Sequence, residues 1–506
     1  MNTRRRLTRS LLISGALAVT LGAISKTALT RAKASRFSYD ELDAYVQRQM
    51  DRLRIPGAAL AIVDGEEIVH LRGFGRARPG GEAPSPQTPF PIGSLTKSLT
   101  AVAVMQLVEA GEIDLNAPVQ RYLPWFRTAD AQAAAQITVR HLLNQTSGLS
   151  TASGWIPLAS FDGGLGAVDR QARALSAVEL SHPAGAAFEY SNSNYNLLGL
   201  IVEAVSGEAY AHYVQDHIFT PLAMRHSTTS QAEAKQDGLA VGHRYWFWFP
   251  FAAPSLPMPR GSLPSGQLIA SSEDMAHYLI ALLNGGRYRD AQILSEASID
   301  ELHRGVAESV EMGISMGTYG MGWYLGEVGE TKVAWHTGTV PDFSSYMALL
   351  PEQQKGVVLL VNAGHFMMNP VIGEVGEGVT SSLASDQPGA ARFAGFIPWV
   401  MRTLLLIPLL QVIGVAHTLR RLRRWRQDPT SRPSGRRKWG LHVLLPLIPN
   451  VLVALTLVPT LGPMRGFWSL FAPDFSWIAV ISGGFATIWA ILRTGLVLGT
   501  LRRPEP

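Results

Sequence analysis

The sequence predicts an α+β domain followed by three membrane-spanning helices. Three observations predict it. Strand-like runs lie at both ends of residues 37–380, with a long helical stretch between them. The first two runs, 58–63 and 67–73, are joined by Asp64-Gly65, a strong hairpin signal. Beyond residue 395 come three apolar segments, at 396–419, 441–461 and 476–498. At ~1.5 Å rise per residue each can cross a hydrocarbon core of about 30 Å.

Composition narrows the chemistry. The chain has 506 residues and no Cys, which excludes disulfides, Cys-ligated zinc and a thiol nucleophile. Its net charge of +5 hides a division. Residues 36–385 carry 22 Lys+Arg against 35 Asp+Glu, a net of −13, while the remaining residues sum to +18. The basic character belongs to membrane flanks, and an acidic main domain argues against nucleic acid as a partner.

Residues 1–34 read as an export signal. Arg4, Arg5, Arg6 and Arg9 precede an apolar run, and Ala32-Lys33-Ala34 offers a small-x-small cleavage site. Thr3 to Leu7 also fits a twin-arginine signal, and an uncleaved anchor is the alternative. From residue 37 a helix carries Leu42, Tyr45, Val46, Met50 and Leu53 on one face, and the hairpin follows. A Pro- and Gly-rich loop then delivers the chain to Gly93-Ser94.

Ser94 opens an apolar-rich helix ending at Gly111, and Lys97, three residues on, shares its face. A serine needs a base to act as a nucleophile at neutral pH. A lysine serves if burial lowers its pKa. Lys97 is the only lysine with a serine three residues before it. The helix N-terminus adds free N–H groups where an oxyanion would form.

Helices dominate to about residue 230, with segments at 139–144, 167–180, 195–205 and 209–218. Among them Tyr190 reads either as a half-buried aromatic or as a phenol relaying a proton between Ser94, Lys97 and a leaving group. Asn192 reads either as a helix cap or as a donor to a substrate carbonyl. The aromatic stretch 243–262 is a loop on the core, a cleft wall or a bilayer-touching patch. Ser271 to Asp274 cap a helix over 275–283.

Strands are expected at 320–325, 332–335, 345–350 and 356–361. His336-Thr337-Gly338-Thr339 falls after the second of these. Such a stretch is a turn, or an edge strand offering backbone, a cation-capable residue, a hydroxyl and a close-approach glycine to substrate. On the second reading the N–H groups of Ser94 and Thr339 form an oxyanion hole.

Ser94–Lys97, Tyr190–Asn192 and His336–Gly338 resemble, in order, the three signature boxes of the serine β-lactamase and penicillin-binding protein family. The middle box is similar to the Tyr-x-Asn form of class C β-lactamases. The third is similar to the His-Thr-Gly variant of D-alanyl-D-alanine carboxypeptidases. The resemblance implies an antiparallel sheet flanked by helices plus an all-α subdomain. It also implies Ser94 as nucleophile, Lys97 and Tyr190 as acid and base, and Asn192, His336 and Thr337 as substrate-positioning residues. His336 in place of the commoner lysine points away from β-lactamase activity and leaves peptidase or esterase action open.

After a linker at 381–395, the first two spans enclose a loop, 420–440, with nine basic residues. Positive loops stay in the cytoplasm, so residues 37–390 are expected outside it. Arg402 and Arg493 lie near span ends and are expected to snorkel. The architecture is similar to prodrug-activating peptidases such as the colibactin-maturing peptidase. The expected protein is therefore a membrane-anchored, extracytoplasmic serine hydrolase acting on a small peptide or ester. It uses no metal or organic cofactor and touches the lipid bilayer through its last helices. A D-residue peptidase leads, with an esterase or a slow-turnover penicillin-binding sensor as alternatives.

Overall fold

The computed structural model describes residues 38–385 apart from 161, 165 and 312, and residues 396–432, 440–457, 462 and 464–501. The expected export signal, most of the linker and residues 433–439 of the basic loop lie outside them. Helix α1 (Tyr39–Leu53) leads into hairpin strands β1 (Gly57–Asp64) and β2 (Glu67–Gly75), then helix α2 (Thr96–Glu109). A helical half follows, including α3 (Thr151–Trp155) and α4 (Asn192–Ser206). The hairpin β3 (His243–Trp246) and β4 (Phe249–Ala252) comes next, then α5 (Ser272–Leu283). Strands β5 (Ala307–Glu311), β6 (Ile314–Tyr319), β7 (Tyr324–Val328), β8 (Thr331–Val340), β9 (Phe343–Leu350) and β10 (Lys355–Val361) precede α6 (Asn369–Ser385).

Ser38 starts α1 with a capping box. Its hydroxyl accepts from the Glu41 N–H, and Glu41 returns the bond, worth about 1 kcal/mol for the cap. The buried face of α1 is Leu42, Tyr45, Val46, Met50 and Leu53, as the periodicity predicts. Eight strands form one antiparallel sheet in the order β2-β1-β10-β9-β8-β7-β6-β5. The N-terminal hairpin closes on the last strand, with Ala58 opposite Val361.

Alternation along these strands divides the core. Ala59, Ala61 and Val63 of β1 pack with Val358 and Leu360 of β10 into a core containing α2, α4 and α5. Ala58, Leu60 and Ile62 pack with Val357 and Leu359 on the other face, against α1 and α6. Because both faces are covered, β1 and β10 read as continuous apolar runs. This is the expected sheet with helices on both sides.

Several boundaries differ from expectation. Strand β8 runs on to Val340, so His336 to Thr339 are strand residues, paired with Met347 to Ser344 of β9. Helix α4 begins at Asn192. Residues 381–385, expected in the linker, complete α6. The stretch 243–262 begins as a hairpin, with Trp248 buried and Phe249 and Phe251 exposed.

Beyond the domain come α7 (Phe396–Thr403), α8 (Leu406–Gln427), α9 (Leu445–Leu457), α10 (Arg465–Phe471) and α11 (Pro473–Leu501). Three stretches, Trp399–Gln427, Gly440–Leu457 and Pro473–Thr500, are long and apolar enough to cross a membrane. Arg420 to Gln427, expected in the basic loop, continue α8. Arg493 does not snorkel. Buried between helices, it bonds the His442 carbonyl at 3.0 Å and Thr418 Oγ1 at 3.3 Å, because a charge inside a bundle must find polar partners. Arg402 instead lies 5.6 Å from the Trp248 ring of the hairpin.

The helices are docked on the domain. Asp474, at the start of α11, lies 2.9 Å from His365 Nε2, and both side chains are 1% exposed. Its second oxygen accepts the Phe247 N–H at 3.0 Å. Phe467 of α10 stacks on Trp155 of α3 at 4.7 Å, and Phe366 meets both rings edge-on.

Candidate active site

Helix α2 is apolar nearly all round and buried through most of its length, as the central helix of a core must be. Its first turn is polar and equally buried, so each group needs a partner. Thr96 Oγ1 accepts the Leu268 N–H, Ser98 donates to the Leu95 carbonyl and Thr100 donates to the Pro264 carbonyl. Lys97 is wholly buried among them.

Lys97 Nζ has three partners: Ser94 Oγ at 3.0 Å, Asn192 Oδ1 at 2.7 Å and the Ser265 carbonyl at 2.6 Å. Burial holds its pKa well below the usual lysine value, and the Glu311 carboxylate pulls part of the way back. A neutral amine has two N–H donors and one lone pair. The amide and carbonyl oxygens only accept, so they take the two donors. The lone pair is left facing the Ser94 hydroxyl, the arrangement in which an amine can remove a proton.

Ser94 sits in the 3-10 turn Gly93–Leu95 that leads into α2 and is half-buried. The strand beside it approaches very closely. A Cβ on Gly93, whose φ is +55°, would lie 2.6 Å from the Thr339 nitrogen. One on Gly338 would lie 2.2 Å from the Ile92 carbonyl oxygen and 3.1 Å from the Ser94 nitrogen. Only glycine at both positions permits this approach. Ser345 Oγ of β9 fixes the Ile92 carbonyl at 2.7 Å. The Ser94 and Thr339 N–H groups thus come from two backbones in contact. Pairing of β8 with β7 ends at Trp335, so residues 336–340 present an open edge on that side.

Tyr190 lies over Lys97, its ring 4.8 Å from Nζ, with its hydroxyl on the Ser94 side. Burial, then Tyr319, drives its pKa well above the usual tyrosine value, so it stands as a phenol. Asn192, which opens α4, turns its oxygen to Lys97 and has only a long 3.5 Å contact from Nδ2 to the Gly154 carbonyl. Its amide donor therefore remains largely open.

His336 is expected to be cation-capable, yet burial above all pushes it down to about 3, which favours the neutral imidazole. It is 1% exposed, with Nδ1 2.6 Å from the Thr337 carbonyl and Tyr319 Oη 3.5 Å from Nε2. Thr337 is directed to the opposite face of the strand, where its methyl packs over Gly373 of α6. Thr339 Oγ1 is buried with no hydrogen-bond partner among the described residues.

Sequence reasoning missed Ser265, Glu311, Tyr319 and Tyr324. Glu311 ends β5, accepts a hydrogen bond from Tyr324 and is held above the usual carboxylate range by burial. No group of three or more metal-ligating side chains occurs among the described residues.

The sequence matches the family Beta-lactamase over residues 42–374. The chain belongs to the beta-lactamase family. Protein flp of Staphylococcus aureus strain MW2 is 30% identical over 333 residues, covering 64% of this chain and 63% of its own length. The match thus spans less than two thirds of that relative. Penicillin-binding protein 4 of Amycolatopsis lactamdurans is 33% identical over 337 residues, with 63% of this chain and 85% of the relative covered. Among solved structures, the octameric penicillin-binding protein homologue of Pyrococcus abyssi superposes with a TM-score of 0.57 at 27% identity, covering 73% and 78% of the two chains. The D-amino acid amidase of Ochrobactrum anthropi SV3, complexed with L-phenylalanine amide, gives 0.55 at 27% identity, covering 64% and 92%. This beta-lactamase-family chain is accordingly of the serine hydrolase type, with the family domain joined to three apolar helices.

Proposed function

We propose that the protein is a membrane-anchored serine hydrolase working outside the cytoplasm, which cleaves an amide next to a D-residue through an acyl-enzyme on Ser94. The observation that carries this reading is the buried Lys97 amine, 3.0 Å from Ser94 Oγ, with its two other partners both acceptors. Ser94 Oγ attacks the scissile carbonyl while its proton passes to Lys97. The Ser94 and Thr339 N–H groups receive the oxyanion, and Asn192 Nδ2 and the open edge of β8 align the substrate backbone. The Tyr190 phenol hands a proton to the departing nitrogen and recovers one from Lys97. Water then repeats the sequence on the ester and frees Ser94.

Support for an amide comes from relatives named D-amino acid amidase and penicillin-binding protein. Support for the location comes from Arg420, Arg421, Arg423, Arg424 and Arg426 at the end of α8, which the positive-inside rule retains in the cytoplasm. The experiment is mass spectrometry of the full-length protein and its Ser94→Ala variant. Each is exposed to a fluorophosphonate, a D-alanyl-D-alanine peptide, D-amino acid amides and a p-nitrophenyl ester. Ser94-dependent labelling with release of amine is the expected result. Release from the ester alone selects an esterase, and a chain unlabelled at Ser94 ends the reading.

A further inference from the structure

A cleft of about 200 Å³ lies at the end of β8, walled in part by segments that also build the Ser94 site. Side chains along a strand alternate between its two faces. Gly338 belongs to the Ser94 face, where a Cβ would lie 3.1 Å from the Ser94 nitrogen, and Thr337 to the α6 face. Val340 shares the row of Gly338, roughly 7 Å further along the strand, and lines the cleft. Pro91, three residues before Ser94, lines it too. So does Gln267, two residues after the Ser265 carbonyl that holds Lys97.

The site fixes which part of a substrate reaches this cleft. The open edge of β8 begins at His336, whose ring centroid lies 6.2 Å from that of Tyr190, the proposed donor to the leaving group. A substrate paired on that edge therefore sends its leaving group toward His336 and its acyl part toward Val340. Leu158, Leu239, Leu256, Met258 and Ile269 make the cleft largely apolar, and Phe471 of α10 adds a wall from beyond the family domain. Gln267 is 6% exposed, and its side-chain amide has no hydrogen-bond partner among the described residues. A buried amide in that state favours a ligand that supplies one.

Charge marks the other end. Residues 238–242 run along the cleft from Gly242, which packs on Asp342 and Phe343, to Gly238, whose carbonyl accepts from Arg78 Nη2 at 3.1 Å. Of the charged side chains in the lining, Asp342 is held by Arg244 at 2.7 and 2.9 Å, which leaves Arg78 and Lys235. Neither has a carboxylate partner among the described residues. Glu233 and Asp237, the acids nearest Lys235 in the chain, are engaged by Thr228 and His226 and do not line the cleft. The geometry points to an acyl-side subsite for an apolar arm that ends in a carboxylate. The arm lies among the leucines and Met258, its acid meets Arg78 and Lys235, and Gln267 serves a polar atom near the scissile carbonyl. The inference rests on the hydrolase reading of Ser94 and supplies the acyl arm that reading leaves open.

The test uses full-length protein in detergent micelles, with Ser94→Ala as background. Its substrates are p-nitrophenyl acetate, p-nitrophenyl octanoate and the mono-p-nitrophenyl ester of octanedioic acid. Ser94 Oγ forms an ester with the acyl group as p-nitrophenol leaves, and water then frees the acid, so no co-reactant is needed. Arg78→Gln combined with Lys235→Gln should lower kcat/KM for the acidic ester at least about fivefold relative to octanoate, with acetate unchanged. Comparing proteins cancels any uptake of octanoate by micelles. Met258→Trp, which fills the apolar part, should slow both long esters at least about tenfold and spare acetate. An unaltered ratio in the double variant, or long esters unslowed by Met258→Trp, overturns the proposal. So does wild-type protein that turns over neither long ester. Fluorophosphonate labelling of Ser94 reports separately on the hydrolase reading.

Discussion

At the scale of single residues the chemistry turns on one amine. Because Lys97 acts as a base only when neutral, activity should be present above its pKa and fall as pH drops through it. Glu311 raises that pKa, so Glu311→Gln should move the acid limb of kcat/KM to lower pH. His336 is pushed down to about 3 by burial, so His336→Gln should remove no limb from the profile above that pH. A pH–rate profile of the three proteins checks both statements. Lys97→Met should lower kcat/KM by roughly 10²–10⁴-fold without preventing folding. Ser94 and Lys97 were legible because a helix places residues three apart on one face. Glu311 and Ser265 were not, since each arrives from a distant segment with no spacing to mark it.

At the scale of elements, the site depends on how closely β8 passes the turn before α2. Gly338→Ala would drive a methyl into the Ile92 carbonyl and force the strand away from Ser94. The expected result is a loss of about 10²–10³-fold in kcat, the cost of an oxyanion donor, with slower fluorophosphonate labelling. The sequence left His336 to Thr339 open between a turn and an edge strand, because Thr-Gly-Thr has the composition of a turn. Pairing with β9 extends β8, and pairing is a long-range fact. The core strands β1 and β10 were legible for the opposite reason, since burial on both faces leaves a continuous apolar run.

A second element-scale feature is the joint at Asp474. A carboxylate and an imidazole that are both 1% exposed depend on each other, and leaving one such buried group without its hydrogen-bond partner costs about 1–3 kcal/mol. Asp474→Ala should therefore loosen α11 from the domain. Hydrogen exchange at Phe247 and the adjoining hairpin amides should speed up, while Ser94 labelling in the remaining folded protein persists. Equal exchange in both proteins would show the joint to be incidental. The sequence placed the third span at 476–498, just past this residue, because hydropathy locates apolar runs and is blind to a polar group that begins one.

Across the whole molecule, charge is sorted by position. An acidic domain with a net of −13 is followed by helices whose basic residues cluster at the end of α8. The proposed orientation puts these on opposite sides of a bilayer. Since the chain has no Cys, single cysteines report cleanly. Ser160→Cys should react with a membrane-impermeant maleimide in intact cells, and Thr430→Cys only after permeabilisation. The reverse pattern would invert the topology.

The docking of α10 and α11 also bears on how the protein can be handled. Trp155, Phe366, Phe247 and His365 are covered by the helices that follow the domain. A chain cut after residue 385 would expose that aromatic surface to water and leave His365 unmatched. It should elute from size-exclusion columns as aggregates unless detergent takes the helices' place. The smallest unit that stays soluble in a test tube should thus extend past the family domain, with the apolar helices forming part of its foundation.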